Sequence, residues 1–240
     1  MKDYNQKYDL GIIGGMGTSA TVELFRRLSE RTYTTCDQDF MRVCILNDSI
    51  IPDRTKCILE GKNDPLDFIN GDIKRLEALG VNYFIIPCNT AHYYSKGFNN
   101  TKIKFISMID ETLKFIQKEY KDNDICILAT NGTIQSGVYF DNEKSHGLKF
   151  LKLDSKLQDK VMSVVTMTKE GKDMNMAFEI LNSVIESVEK GNNKVLFVLA
   201  CTELSLYLDR LNNHFVIDAM DILVESAITK CGYKLKEKEK

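Results

Sequence analysis

Proline is scarce in this chain, with three residues in 240, and that excludes a proline-rich linker or tail. A surplus of one charge is missing as well. Lys and Arg total 32 against 34 Asp and Glu, a net charge of -2, so the basic excess that marks a nucleic-acid binder is absent. The longest unbroken apolar run, Val195 to Cys201, falls far below the roughly 20 residues that a membrane-spanning helix needs. The opening stretch MKDYNQKYDL is polar and mixed in charge and does not read as a secretory signal. The seven cysteines show neither CxxC nor Cys/His zinc spacing. These absences set the expectation of a cytoplasmic protein with free thiols, no metal, and no nucleic-acid or membrane partner.

What is present is an ordinary folding composition, 43% apolar and 28% charged. Short apolar runs alternate with longer amphipathic ones. Tyr8 to Ile13 reads as a strand ended by Gly14-Gly15-Met16-Gly17. A helix is expected from Thr18, with Val22, Leu24, Phe25 and Leu28 inward and Glu23, Arg26 and Arg27 outward. Phe40 to Leu46 is a second strand. Asp64-Pro65 opens a helix carrying Leu66, Ile69, Ile73, Leu76 and Leu79, which Gly80 stops before a third strand, Val81 to Ile86. Strands at Ile125 to Ala129 and Lys194 to Leu199, with helices at Leu157 to Thr168 and Ala177 to Val188, continue the rhythm. It indicates parallel α/β construction. The Lys/Glu tail from Lys234 reads as frayed or as a solvated helix end.

The chain also repeats itself. IIGGMGT (Ile12–Thr18) lies over ILATNGT (Ile127–Thr133), and YFIIPCNT (Tyr83–Thr90) over LFVLACTE (Leu196–Glu203), with offsets that agree within two residues. The reading is two pseudo-symmetric, doubly wound parallel-sheet lobes joined near Ile109 to Thr112, with the active site in the cleft between them. The first lobe spans 1–111 plus 209–240 and carries Cys88. The second spans 112–208 and carries Cys201. Functional groups in such lobes gather beyond the carboxyl ends of the strands, so each lobe offers one strand-end thiol to a shared cleft.

Most cysteines are small core hydrophobes, and that reading suits Cys44, Cys126 and Cys231, and also Cys36 and Cys57. Cys88 and Cys201 differ because they occupy matching strand-to-helix turns, where a helix start favours the thiolate. Opposed thiols suit chemistry on both faces of a stereocentre: one takes a proton from Cα, and the other delivers a proton to the far face. Asn89, Thr90, Thr133 and Thr202 are available as donors to a substrate carboxylate. Arg54 and Lys169 are the candidate cations for an acidic substrate.

GGMG (Gly14–Gly17), PCNTAH (Pro87–His92), NGTIQSGVY (Asn131–Tyr139) and ACTEL (Ala200–Leu204) together resemble the aspartate/glutamate racemase family across nearly the whole chain. The resemblance implies racemisation without a cofactor, with Cys88 and Cys201 as the base and acid pair. It implies that Asn89 and Thr90 meet the α-carboxylate, that Arg54 binds the side-chain carboxylate, that Lys169 serves the site and that Met16 lines it. It further implies a homodimer acting on a small amino acid, aspartate or glutamate. Ala200 and Ser205 depart from the family, which often has Gly before the second Cys and Gly or Pro after the Glu-Leu/Ile pair.

Other readings compete. Gly15-Met16-Gly17-Thr18-Ser19-Ala20 matches a dinucleotide-binding turn, with Asp37 and Asp39 about 20 residues on. It accounts for the first lobe alone and leaves the repeated cysteines unexplained. A single-cysteine isomerase or decarboxylase of acidic substrates fits two retained thiols less well. His92, four residues beyond Cys88, is open between tuning that thiol and a structural place, and Glu203 between capping and steering a neighbour.

Overall fold

The computed structural model describes residues 7–98, 101–192 and 194–237. The first run of elements is β1 (Leu10–Gly14), α1 (Thr18–Arg31), β2 (Val43–Asn47), α2 (Arg54–Glu60), α3 (Leu66–Ala78), β3 (Tyr83–Ile85), β4 (Lys104–Phe105) and α4 (Met108–Glu119). The second is β5 (Asp124–Leu128), α5 (Asn131–Gln135), β6 (Lys149–Leu151), α6 (Ser155–Lys169), α7 (Met174–Glu189), β7 (Val195–Leu199), β8 (Val216–Asp218) and α8 (Ala219–Lys230). Each run builds one four-stranded sheet, in the orders β2-β1-β3-β4 and β6-β5-β7-β8. Every pairing is parallel. The two orders are the same when read from each lobe's own first strand, so the repeat in the sequence is a repeat of topology. The fold is two parallel-sheet α/β lobes.

The central strands are covered on both faces, which is why they read as unbroken apolar runs. All five residues of β1 are buried, as are all five of β7. On one face of the first sheet, α3 packs Ile69, Ile73 and Leu76 against Ile13, Phe84 and Ile86. In the second lobe α6 and α7 bring Val161, Val165, Leu181 and Ile185 onto Val195, Phe197 and Leu199.

The remaining faces are covered by exchange. Helix α4 follows the last strand of the first sheet, yet its Ile109, Leu113 and Ile116 pack on Ile125, Ile127, Leu196 and Val198 of the second. Helix α8 follows the last strand of the second sheet, yet its Leu223, Val224, Ala227 and Ile228 pack on Leu10 and Ile12 of the first, with Leu24 and Leu28 of α1. The residues Ile109 to Thr112, read as a junction, therefore lie inside a helix that Ser107 caps through its hydroxyl to the Asp110 amide.

Three details differ from the sequence reading. The inward face of α1 holds Ala20, Thr21, Leu24, Arg27 and Leu28, whereas Val22 and Phe25 are exposed. Arg27 is buried because Glu23, Asp218 and Asp221 pair with it and the Ser205 carbonyl accepts from it. Leu79 is exposed beyond the end of α3. The tail is neither frayed nor helical where described: Tyr33 donates to the Lys234 carbonyl, Lys236 donates to the Arg31 carbonyl, and Leu235 bridges antiparallel to Thr32. Residues Lys238–Lys240 lie outside the described residues. Among those described, no helix is long and apolar enough to cross a membrane.

Candidate active site

The turn after β1 is shaped by steric need. Gly15 sits at φ +85°, and a Cβ there would fall 2.3 Å from the Asp48 backbone. Its N–H donates to the Thr21 hydroxyl (3.1 Å), which in turn donates to the Gly17 carbonyl (3.1 Å). The Gly15 N–H, one of the turn donors that a phosphate would draw on, is thus committed internally. Asp37 and Asp39 precede β2 rather than following it, the wrong end for a ribose contact. The dinucleotide fingerprint is not completed.

β3 and β7 end at equivalent points and deliver the two cysteines. The Cys88 carbonyl accepts from Ala91 (3.2 Å) and the Cys201 carbonyl from Leu204 (2.9 Å). Each opens a 3₁₀ turn, Thr90–Gly97 and Leu204–Arg210. The helix starts expected at these points are therefore tighter turns than α-helices. Both thiols are buried and line one cleft between the lobes, together with Met16, Arg54, Asn89, Thr90, Lys169 and Thr202. The cavity volume is about 20 Å³, room for about one water.

Positive charge enters from both lobes. Asp53 caps α2 through the Lys56 amide (2.9 Å), which fixes Arg54 at the first position of the helix. The Arg54 guanidinium donates to the carbonyls of Met16 (2.7 Å), Pro52 (2.9 Å) and Ile51 (3.3 Å). Among the described residues no carboxylate pairs with it, and its buried Nε has no partner. A buried guanidinium held by neutral carbonyls keeps its full charge for an anion. Lys169, the last residue of α6, places Nζ 3.6 Å from Glu203 Oε1. Burial opposes its charge, but the Glu203 carboxylate, joined by the two sulfurs when they are ionised, outweighs that and raises its pKa.

Glu203 is the residue whose role the sequence left open. Its side chain makes no cap. It accepts from the Cys201 thiol at 2.9 Å, and from the Thr202 hydroxyl at 3.3 Å. Burial, and then the Glu203 charge and its hydrogen bond, hold the Cys201 pKa well above the usual thiol value, against a smaller opposite pull from Lys169. Cys201 is therefore a protonated donor at rest. By contrast, Cys126 is pushed up to about 12 by burial alone, as befits a core thiol.

Hydroxyls close the cleft. Thr90, from the first lobe, meets Thr130 (3.1 Å) and Thr133 (2.8 Å) of the second, and those two meet each other (3.1 Å). Thr130 lines the cleft and was missed in the sequence. Thr133 lies behind it and is not among the lining residues. Gly132 permits the approach, since a Cβ there would lie 2.7 Å from the Thr55 hydroxyl and 3.0 Å from Thr90 Cγ2. His92 does not reach the cleft lining. Its Nδ1 donates to the Cys88 carbonyl (2.9 Å) and its Nε2 accepts from the Met108 amide (2.9 Å). That arrangement requires a neutral ring, and burial pushes its pKa down to about 4.

A second interlobe cavity of about 250 Å³ lies among Tyr93, Lys96, Asp110, Ser136 and Asp141. It contains neither cysteine. Among the described residues no group of three or more His, Cys, Asp or Glu side chains is placed to hold a metal ion.

The family model for Asp/Glu/hydantoin racemases matches residues 13–227. The chain belongs to that family. Among solved structures similar to this racemase-family chain is the aspartate racemase of Picrophilus torridus, 35% identical with a TM-score of 0.85 over 96% of each chain. The broad-specificity amino-acid racemase RacX of Bacillus subtilis (strain 168) is 28% identical over 163 residues, 67% of this chain and 69% of that one. Glutamate racemase isoform RacE1 from Bacillus anthracis shares the fold at 16% identity, with a TM-score of 0.66 over 95% of this chain and 82% of its own. An amino-acid racemase is thus the enzyme class of this chain.

Proposed function

We propose that the chain interconverts L- and D-aspartate by a two-base mechanism in which Cys88 and Cys201 face opposite sides of Cα. The observation that carries this reading is the pair of buried thiols, delivered from matching strand ends to one cleft beside a guanidinium held by backbone carbonyls. Arg54, with Lys169 beyond it, receives the side-chain carboxylate. Asn89, Thr90 and Thr202 donate to the α-carboxylate and hold the negative charge that develops when Cα loses its proton. Met16 packs beside them, and Thr133 acts indirectly, by holding Thr90 and Thr130.

In one direction Cys88, as thiolate, takes the Cα proton while the Cys201 thiol delivers its own to the opposite face. That turnover leaves Cys88 as the thiol and Cys201 as the thiolate, the form that runs the other direction with the roles exchanged. The Glu203 carboxylate holds the Cys201 proton in place when that thiol is the donor. A cavity with room for about one water must widen to admit an amino acid, so turnover includes a parting of the lobes that breaks the threonine contacts. The sequence reading adds a homodimer in the cytoplasm, which light scattering and cell fractionation test.

Proton NMR of the purified protein in deuterated water tests the reaction, using each enantiomer of aspartate and glutamate without added cofactor. Loss of the α-proton signal from both enantiomers of aspartate is expected. Exchange with glutamate alone would move the substrate, and silence with all four amino acids would sink the racemase reading.

A further inference from the structure

Tyr139 is fully buried on the turn that follows α5, in the second lobe. Its hydroxyl donates to Oδ1 of Asn89 in the first lobe at 2.6 Å. Asn89 follows Cys88 and lines the cleft. The two ends of a side-chain amide are nearly alike in shape and opposite in polarity, one an acceptor and the other a double donor. With Oδ1 accepting from the phenol, the Nδ2 end is the one left for the cleft.

We propose that Tyr139 is a positioning residue that sets the polarity of Asn89, making that amide a donor toward the substrate's α-carboxylate. The inference rests on the racemase reading and deepens it, by naming what orients one carboxylate contact. Burial raises the Tyr139 pKa, so the phenol keeps its proton, and its direction of donation, at any working pH. The bond also crosses between the lobes. Asn89 is therefore locked in the productive sense when the lobes close, and is free to turn when they part. The Oδ1 end turned toward a carboxylate would repel it.

Tyr139→Phe keeps the ring and deletes the donor. The test is calorimetric binding of succinate, a dicarboxylate without an α-amino group, to the full-length wild type, Tyr139→Phe, Asn89→Ala and the double variant, each with its thermal midpoint. Tyr139→Phe is expected to weaken binding about tenfold, the loss of one hydrogen bond to a charged group. In the Asn89→Ala background the same change is expected to alter affinity by less than about twofold, because the two residues act through one contact. A purely packing role would lower the thermal midpoint and weaken binding equally in both backgrounds, and that outcome overturns the proposal. Unchanged affinity in Tyr139→Phe overturns it too, as does a wild type that does not bind succinate. The α-proton exchange assay reads the racemase assignment separately. Exchange with additive losses removes Tyr139 alone, whereas coupled losses without exchange keep the donor arrangement and remove the reaction.

Discussion

The two lobes share one strand order, and in each the position four residues beyond the strand-end cysteine ties the post-cysteine turn to the start of a later helix. The chemistry of that tie differs. In the first lobe His92 links the Cys88 carbonyl to the amide of Met108, where α4 begins. In the second, Ser205 donates to Asp218 (2.8 Å), the residue that caps α8, and Arg27 spans the Asp218 carboxylate and the Ser205 carbonyl. A second difference sits nearer the sulfur. Glu203, which accepts the Cys201 proton, corresponds to Thr90 in the first lobe, whose hydroxyl is engaged with Thr130 and Thr133. Duplication thus supplied equivalent places for two thiols, and substitution beside them made the thiols unlike. Ser205 belongs to that difference between the lobes, since its hydroxyl donates to a buried carboxylate.

Removing either thiol is the strongest test of their joint action. Cys88→Ala and Cys201→Ala are each expected to cut racemisation by roughly 10³-fold or more in both directions. A single-cysteine variant with the wild-type racemisation rate would sink the two-base scheme.

The histidine tie should make the first lobe answer to pH. Above about pH 6.5 the ring is neutral whether folded or unfolded. Below it the unfolded chain takes up a proton that the buried ring, with its pKa near 4, refuses. Stability is therefore lost as pH falls from about 6.5 to 4, by about 3 kcal/mol from this group. Urea titrations across that window should show a flatter dependence for His92→Gln, and matching slopes would mean that His92 already titrates freely in the fold.

Glu203→Gln should make the two thiols more alike. Taking away the neighbouring charge lowers the Cys201 pKa, so the limb of the pH–rate profile that it governs moves toward acid. Alkylation of Cys201 by iodoacetamide should quicken at fixed pH, while turnover drops on the order of 10²-fold. An alkylation rate at Cys201 equal to wild type would remove Glu203 from control of the thiol.

The smallest expected effect is at the seam. Gly132→Ala places a methyl 2.7 Å from Thr55 and 3.0 Å from Thr90, an overpacking worth about 1–3 kcal/mol. A fall in thermal midpoint of about 2–10 °C follows for a chain of this size. A midpoint equal to wild type would show that the two lobes have slack where α5 meets α2.

The sequence made the centre of each lobe readable and its edges opaque. β1, β3, β5 and β7 are apolar runs bounded by glycine, proline or small polar residues, and the repeated cysteines stand just beyond two of them. β4, β6 and β8 are two or three residues long, too short to show any period. α2 and α5 are made by the caps Asp53 and Thr130 rather than by an apolar stripe. Contacts between distant segments left no local mark. Arg27 read as a solvated charge because Asp218 lies 191 residues away, and Tyr139 gave no sign of meeting Asn89, 50 residues before it. Glu203 was visible two residues from Cys201, but the choice between cap and thiol partner depends on where its carboxylate turns.

The crossing of α4 and α8 bears on what kind of object this protein is. Each sheet is roofed by a helix that belongs, by chain order, to the other's run. A fragment ending near residue 111 would keep β1 but lose α8, leaving Leu10, Ile12, Leu24 and Leu28 without the helix that covers them. A fragment starting at residue 112 would lack Ile109 and the beginning of α4 over Ile125 and Leu196. The duplication therefore no longer describes two separable units. The chain is interlocked like two hands with fingers interlaced, around the cleft that holds both thiols.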